Sequence, residues 1–220
     1  MNTIQEAIND LHAGKMVIVS DDYNRENEGD LVIAAEFITP EAMNFMVTNA
    51  RGLVCMPTTA ELLNNNYLHQ MVAMNTDTHG TAFTVSIDHI DTTTGISAHE
   101  RAYTIKKFAE GNCLPQDFKR PGHVFPLMAR EGGVFKRKGH TEASVDLMKL
   151  AGLKPVSVIC EILNEDGTMA RMPQLEVFAQ KHNLKYITIQ DLIAYRKKHE
   201  KIIKREVAVT IPTKYGTFQM

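Results

Sequence analysis

DDYNRENEGD, residues 21–30, runs between the apolar segments MVIVS (16–20) and LVIAA (31–35). Those flanks read as two strands, so the residues between them form a loop held at both ends. The loop carries five carboxylates, Asp21, Asp22, Glu26, Glu28 and Asp30, and one cation, Arg25. Like charges at that density repel unless something cationic sits among them, and the strands keep the loop from drifting free. A divalent ion answers the repulsion. Magnesium fits best, because hard oxygen ligands dominate and water or substrate would complete the octahedron. The EF-hand calcium pattern fails: Asn27 stands where its glycine belongs and Ile33 where its last glutamate belongs. A solvated acidic turn is the plain alternative, and the arginine and two asparagines among the acids favour a site over it.

Outward from the loop, helical and extended periods alternate. Thr3 with Glu6 forms a capping box for a helix carrying Ile4, Ala7, Ile8 and Leu11, which Gly14 ends. Thr39-Pro40 opens a second helix running to about Ala50. LVCMP (53–57) reads as a buried strand carrying Cys55, and Thr58 with Glu61 as the capping box of a short helix. TAFTVSID (81–88) alternates, with Phe83, Val85 and Ile87 to one face, and predicts a strand. Ser97 with Glu100 starts a helix reaching about Glu110, and RPGHVFPLMA (120–129) reads as a turn feeding a strand that bears His123. Thr141 caps a helix closed by Gly152, SVICEIL (157–163) is a strand bearing Glu161, and a helix spans 173–182. KYITI (185–189) is the last strand of the core, followed by a charged helix at 190–204. The alternation predicts an α/β fold, a single domain with a mixed central β-sheet covered by helices, over residues 1–205. The tail REVAVTIPTKYGTFQM (205–220) departs from this rhythm as a strand-like run without a partner in view.

Composition narrows the function classes. A net charge of -2 without a basic cluster argues against nucleic acid as the main partner. No apolar run approaches a membrane span, and the first residues lack the pattern of a signal peptide, so a cytoplasmic protein is expected. Cys55, Cys113 and Cys160 are odd in number and widely spaced, which suits reduced thiols and gives neither a disulfide framework nor a zinc pattern.

The polar groups of the acidic loop find complements elsewhere. Arg137-Lys138-Gly139-His140-Thr141 sets basic groups and a hydroxyl ahead of a helix, a place suited to a phosphate. The threonine-rich loop before Ser97 has geometry that presents backbone N–H groups to an anion. A metal held by Glu26 and His140 joins the acidic and basic halves and polarises a carbonyl. His123 and Glu161 have the chemistry of an acid and base pair, although His123 alone reads as a structural histidine and Cys55 as an inert buried thiol. The residues by themselves reach metal-dependent chemistry on a small phosphorylated compound.

RENEGDL (25–31), NTDTHGTAFTVSID (75–88), TTTGISAHERA (92–102), RPGHVFPL (120–127), KGHTEASVDL (138–147) and CEILNEDGTMARMP (160–173) together resemble the 3,4-dihydroxy-2-butanone 4-phosphate synthases of riboflavin biosynthesis. The resemblance spans about residues 1–205 in order. It implies a homodimer with active sites completed across the interface, converting D-ribulose 5-phosphate to 3,4-dihydroxy-2-butanone 4-phosphate and formate with magnesium or manganese, two ions per site. By resemblance, Glu26 and His140 are metal ligands, and Arg25, Asp30 and Arg137, Lys138, Gly139, His140 and Thr141 match substrate-binding positions. His123 and Glu161 match the essential catalytic pair, while Asp21, Glu28, Cys55 and Thr94 fall at positions lining such sites. Tyr23, Asn24, Glu100 and Lys138 depart from the family's usual residues. IPTKYGTF (211–218) resembles the opening of GTP cyclohydrolase II, so residues 206–220 are expected to be a linker and the start of such a fused domain. Two alternatives remain: a metal-dependent pentose-phosphate isomerase or aldolase, which yields no formate, and a non-catalytic sugar-phosphate-binding or dimerisation module.

Overall fold

The computed structural model describes residues 1–200 and 209–219. Its elements run α1 (Ile4–His12), β1 (Val17–Ser20), β2 (Gly29–Ala34), α2 (Pro40–Phe45), β3 (Cys55–Thr59), α3 (Ala60–Asn65), β4 (Ile87–His89) and α4 (Ala98–Glu110). They continue as β5 (Phe118–Ala129), α5 (His140–Leu150), β6 (Ser157–Glu161), α6 (Met172–His182), β7 (Lys185–Thr188), α7 (Ile189–His199), β8 (Thr210–Thr213) and β9 (Gly216–Gln219). Seven strands form one sheet in the order β4-β5-β3-β6-β2-β1-β7. The β3–β5 and β1–β7 pairs are parallel and the others antiparallel, so the sheet is mixed, as expected.

Strands β1 and β2 are buried along their whole length because both faces are covered. Ile18, Leu31 and Ile33 point into one core with Ala102, Ile105 and Phe108 of α4 and Leu175 of α6. Val17, Val19 and Val32 point into the other with Ile4 and Ala7 of α1, Leu147 of α5 and Leu192 of α7. This two-layer burial holds β1, β2, β3 and β6 side by side, and their adjoining ends carry the acidic loop, Cys55 and Glu161. Among the described residues, no helix is long and apolar enough to cross a membrane.

Several local expectations shift. The strand at 81–88 contracts to Ile87–His89, with Thr84, Ser86 and Asp88 buried and Phe83 and Val85 packed against opposite cores. A register shift between Ile87 and Asp88 breaks the simple alternation. The proline-glycine pair at 121–122 lies within β5 instead of forming a turn, and Gly122 is seated so close to β4 that a Cβ there would stand 2.0 Å from the carbonyl carbon of Ile87. The cap of α3 is Thr59, whose hydroxyl accepts from the Leu62 N–H, while Thr58 stays in β3 and donates to the Pro155 carbonyl. Gly139, not Thr141, is the N-cap of α5, and no side chain caps that helix. The helix after β7 ends at His199, and the remainder of the expected 190–204 span falls largely outside the described residues. Of the tail, residues 210–219 find a partner in themselves: β8 and β9 pair antiparallel as a separate two-stranded sheet.

Candidate functional site

The acidic loop joins β1 to β2 and is held mainly by its own first residue. Asp21 accepts from the N–H groups of Glu26 (3.0 Å) and Glu28 (2.9 Å) and from Arg25 Nη1 (2.9 Å). Those bonds satisfy a buried carboxylate without outside help. Asp22 is exposed and braces the turn through the Asn24 N–H. From the start of α6, Arg171 donates to the carbonyls of Glu26 and Asn27, pinning the outer side of the loop. The loop therefore directs Glu26, Glu28 and Asp30 to one place.

That place is a cavity of about 120 Å³ lined by Arg25, Glu26, Glu28, Asp30, Cys55, Thr81, Phe83, Leu127, Arg137, His140, Thr141, Ile159 and Glu161. Asp30 of β2 and Glu161 of β6 are Cα partners in the sheet, so their carboxyls are neighbours. His140, the first residue of α5, has Nδ1 3.5 Å from Glu26 Oε2 and Nε2 3.9 Å from Asp30 Oδ1. Both Asp30 Oδ1 and His140 Nε2 are buried without a hydrogen-bond partner. Unpaired buried polar atoms are costly, and these two, facing each other among carboxylates, are placed where a shared cation would satisfy them. One ligand atom each from Asp21, Glu26 and His140 lies within 4.8 Å of the others. Hard oxygens with one imidazole suit magnesium or manganese.

Charge is unevenly placed in this pocket. Burial pushes Asp30 up to about 8, with Glu161, Glu26 and Glu28 acting in the same direction against His140. Burial works against a charged His140, yet Asp30, Glu26 and Asp21 around it outweigh that and raise it to about 9. Glu26, opposed by burial, is brought down to about 2 by His140 and Arg25. Glu28 and Glu161 are raised, first by burial. A cation among these crowded acids would take the place of the proton that burial holds on Asp30. Glu161 is also fixed by the Leu53 N–H, 2.8 Å from Oε2. Gly52 permits this approach, since a Cβ there would lie 2.5 Å from the same oxygen.

The basic side of the cavity is equally organised. Arg137 donates to the His79 carbonyl (3.0 Å), Thr81 Oγ1 (2.8 Å) and the buried Glu142 (2.7 Å). A Cβ on Gly139 would stand 2.1 Å from Arg137 Nη1 and 3.1 Å from Arg25 Nη2, so this glycine lets two guanidinium groups close over one spot. The uncapped N-terminus of α5 and the Thr141 hydroxyl adjoin it. Two guanidinium groups, a hydroxyl and the first N–H groups of α5 are chemically suited to an anion beside the carboxylates. Lys138 is exposed and does not line the cavity.

Besides Lys138, two more of the expected groups lie elsewhere. His123 is paired with Asp88 and does not line the cavity. Cys55 pairs in register with Phe125 of β5 and Ile159 of β6, so His123 and Glu161 stand at one end of the sheet, about two strand spacings or ~10 Å apart. Thr94 is exposed, its hydroxyl 3.5 Å from Glu100. The threonine loop does present N–H groups to an anion, but the anion is Glu100, which accepts from the N–H groups of Thr93 and Gly95. Cys55 lines the cavity with its thiol pushed well up by burial, an unreactive state. Sequence reading missed Thr81, Phe83, Asp88, Glu142 and Arg171. Asp88 and Glu142 carried a signal, each a carboxylate in an otherwise buried element; Thr81 and Arg171 act through tertiary contacts that no local pattern shows.

Comparison with known proteins gives a consistent picture. The family model described as 3,4-dihydroxy-2-butanone 4-phosphate synthase matches residues 5–195. The riboflavin biosynthesis protein RibBA of Bacillus mycoides (strain KBAB4) is 60% identical over 215 residues, 98% of this chain and 54% of that protein. The chain thus spans about half the length of the curated relatives it matches. A crystal structure of a two-domain 3,4-dihydroxy-2-butanone 4-phosphate synthase, RibBX from A. baumannii, is similar at TM-score 0.91 and 51% identity, over 99% of this chain and 65% of that one. Another, a 3,4-dihydroxy-2-butanone 4-phosphate synthase in complex with two magnesium ions, matches at TM-score 0.87 and 46% identity, over 90% of this chain and 98% of that one.

Proposed function

The chain belongs to the 3,4-dihydroxy-2-butanone 4-phosphate synthase family, and from that premise we propose that it converts D-ribulose 5-phosphate to 3,4-dihydroxy-2-butanone 4-phosphate and formate in riboflavin biosynthesis. The observation that carries this reading is the facing pair of orphaned buried atoms, Asp30 Oδ1 and His140 Nε2, inside a carboxylate pocket that abuts the Arg25–Arg137 anion site. One small cavity then holds a place for a divalent cation and a place for a phosphate.

Glu26 and His140 would hold magnesium or manganese, with two ions per site and Asp30 close by. The bound metal supplies Lewis-acid polarisation of the sugar's carbonyl and hydroxyl oxygens. Arg25, Arg137, Thr141 and the first N–H groups of α5 bind the phosphate and so set the depth of the carbon chain. Glu161, raised by burial, is suited to take the proton from the carbon next to the sugar's carbonyl during enolisation. Loss of the C1 hydroxyl, migration within the skeleton and departure of C4 as formate then follow. Water leaves in the dehydration and re-enters when formate departs, so the atoms balance without a redox cofactor.

His123 reaches the reaction in a dimer, where a second copy brings its Asp88–His123 pair to the carboxylate pocket. The support is that His123 stands partly exposed at the same sheet end as Glu161, yet outside the cavity of its own chain. Reduced Cys55, Cys113 and Cys160 suit a cytoplasmic enzyme. Residues from 206 onward are read as a linker and the opening of a GTP cyclohydrolase II-like unit, supported by IPTKYGTF and by the separate β8–β9 sheet; a GTP ring-opening assay on the full reading frame tests that extension. The reaction itself is tested with ribulose 5-phosphate labelled with 13C at C4. Label recovered in formate supports the assignment. Label retained in a five-carbon product would replace it with an isomerase.

A further inference from the structure

Two buried carboxylates of α5, Glu142 and Asp146, stand one helical turn apart, and both reach the bend that leads to Arg137. Glu142 accepts the Arg130 N–H at the entrance of the bend (3.0 Å) and Arg137 Nη1 at its exit (2.7 Å). Asp146 takes the middle. Its Oδ2 accepts the Val134 N–H at 2.8 Å, and Gly133, at φ +60°, is seated so close that a Cβ there would stand 2.2 Å from either carboxylate oxygen. The Gly133 carbonyl in turn accepts the N–H groups of Lys136 (2.9 Å) and Arg137 (3.1 Å). Asp146 is therefore separated from the backbone of Arg137 by a single glycine.

Asp146 is itself held from outside the bend. Arg196, on α7, donates Nη1 to the same Oδ2, while its Nε and Nη2 fork onto Glu200 at 2.6 and 2.7 Å. Its guanidinium also lies 4.5 Å over the ring of Phe135, within the bend. One side chain thus grips the bend twice, through Asp146 and through Phe135, and Glu200 sets its direction. Burial raises Asp146 even with Arg196 beside it. A carboxylate stripped of that guanidinium takes up a proton or swings toward water, and the Val134 N–H and Gly133 lose a fixed neighbour. Arg196 lies outside the catalytic cavity and one residue beyond the span that the family model matches.

We propose that Arg196 is a positioning residue for Arg137, acting through Asp146 and the 130–137 bend to hold the Arg137 guanidinium at the anion site. The last helix of the core, α7, thereby sets how firmly the substrate's phosphate is gripped. The inference rests on the reading of Arg137 as a phosphate ligand; the placement of Arg137 is measurable without substrate.

Arg196→Ala in the magnesium-loaded protein removes this support. Arginine-15N spectra follow the Arg137 Nε–H, which donates to the His79 carbonyl at 3.0 Å. Its exchange with solvent should quicken roughly 10-fold. KM for ribulose 5-phosphate should rise roughly 10-fold, the loss of about one charged hydrogen bond, and the inhibition constant of inorganic phosphate should rise with it, while magnesium affinity stays within about twofold. Arg196→Lys keeps a cation on the single Asp146 contact and should recover most of the loss. Adding Asp146→Asn to Arg196→Ala should cost little more than Arg196→Ala alone. Ile8→Val trims the same core from α1 without reaching the bend. It separates positioning from a general loss of stability, and it should leave exchange and KM near wild type. A folded Arg196→Ala with wild-type Arg137 exchange, or with an unchanged KM where Arg137→Gln raises it, would overturn the proposal, as would an Ile8→Val that reproduces both effects. An Arg137→Gln that leaves KM and phosphate inhibition unchanged would instead overturn the phosphate role of Arg137, and quickened exchange in Arg196→Ala would still support the positioning. A wild type that releases no formate would overturn the reaction assigned to the chain, with the exchange rates again deciding the role of Arg196.

Discussion

Removing metal should make this protein's stability fall as pH rises from 6 to 9. Asp30 and His140 are both raised in the fold, to about 8 and about 9 from ordinary values of 3.8 and 6.5. The folded state therefore holds more protons than the unfolded chain across this window, and stability is lost as pH climbs. His140's contribution is complete below 6.5 and gone above about 9, while that of Asp30 declines from 3.8 to about 8. The two atoms face each other at 3.9 Å, so a proton leaving one is held more firmly by the other, and one proton is counted for the pair. For His140 alone the span is 9 minus 6.5, about 2.5 units, or about 3 kcal/mol. In a domain of this size that is a drop of roughly 6–12 °C in Tm between pH 6 and pH 9. Magnesium does for the carboxylates what the proton did, so saturating metal should flatten the slope, with its largest stabilisation at high pH. Calorimetry in EDTA and in excess magnesium, at four pH values, reads this directly, with Asp30→Asn as the variant that should lose most of the slope. A metal-free Tm that stays level or rises over this window, or magnesium stabilisation that is greatest at pH 6, would refute the reasoning.

Glu142→Ala should destabilise the fold by about 3–5 kcal/mol, because it leaves Arg137 buried without its carboxylate and strips the acceptor of the Arg130 N–H; urea denaturation measures it. Arg171→Ala removes the donor to the Glu26 and Asn27 carbonyls, so hydrogen exchange across residues 21–30 should quicken and magnesium affinity fall roughly 10-fold, about one strong hydrogen bond, with Tm changed little. Cys55→Ser should retain most activity, and Cys55 should resist iodoacetamide at pH 8, since its thiol is buried and pushed well up; mass spectrometry of the alkylated peptide checks the second point.

The architecture was legible because the strongest signals are periodic. MVIVS and LVIAA are apolar on both faces and occupy neighbouring strands covered on both sides, and the boundaries of α1 and α4 follow from Thr3, Ser97 and their partners three residues on. Periodicity failed at 81–88, where a register shift and close packing of β4 on Gly122 bury polar residues against the pattern. Thr141 was misread as a cap because hydroxyls commonly serve there; Gly139 takes the position since a side chain would collide with Arg137.

The candidate site divides in the same way. Glu26, Asp30, Arg137, His140 and Glu161 could be named from their types and neighbours, and the fold brings them to one cavity. Their unequal tasks were not legible. Asp21, Asp22 and Asp30 look alike in DDYNRENEGD, yet one is spent on the loop's own N–H groups, one faces solvent, and one is buried with an orphaned oxygen. Which acid meets a backbone N–H and which meets a void is a tertiary fact. The same holds for Asp88, whose partner lies 35 residues away on another strand.

The most direct test of the account is formate release from ribulose 5-phosphate by wild type, by His123→Ala, by Glu161→Ala and by the two variants mixed and allowed to exchange subunits, each with magnesium and with EDTA. The account predicts formate from wild type only with metal, none from either variant, and partial recovery in the mixture, where one protomer supplies His123 and the other Glu161. No formate from folded, magnesium-loaded wild type would contradict the assigned reaction, and two dead variants that stay dead after subunit exchange would contradict the shared site.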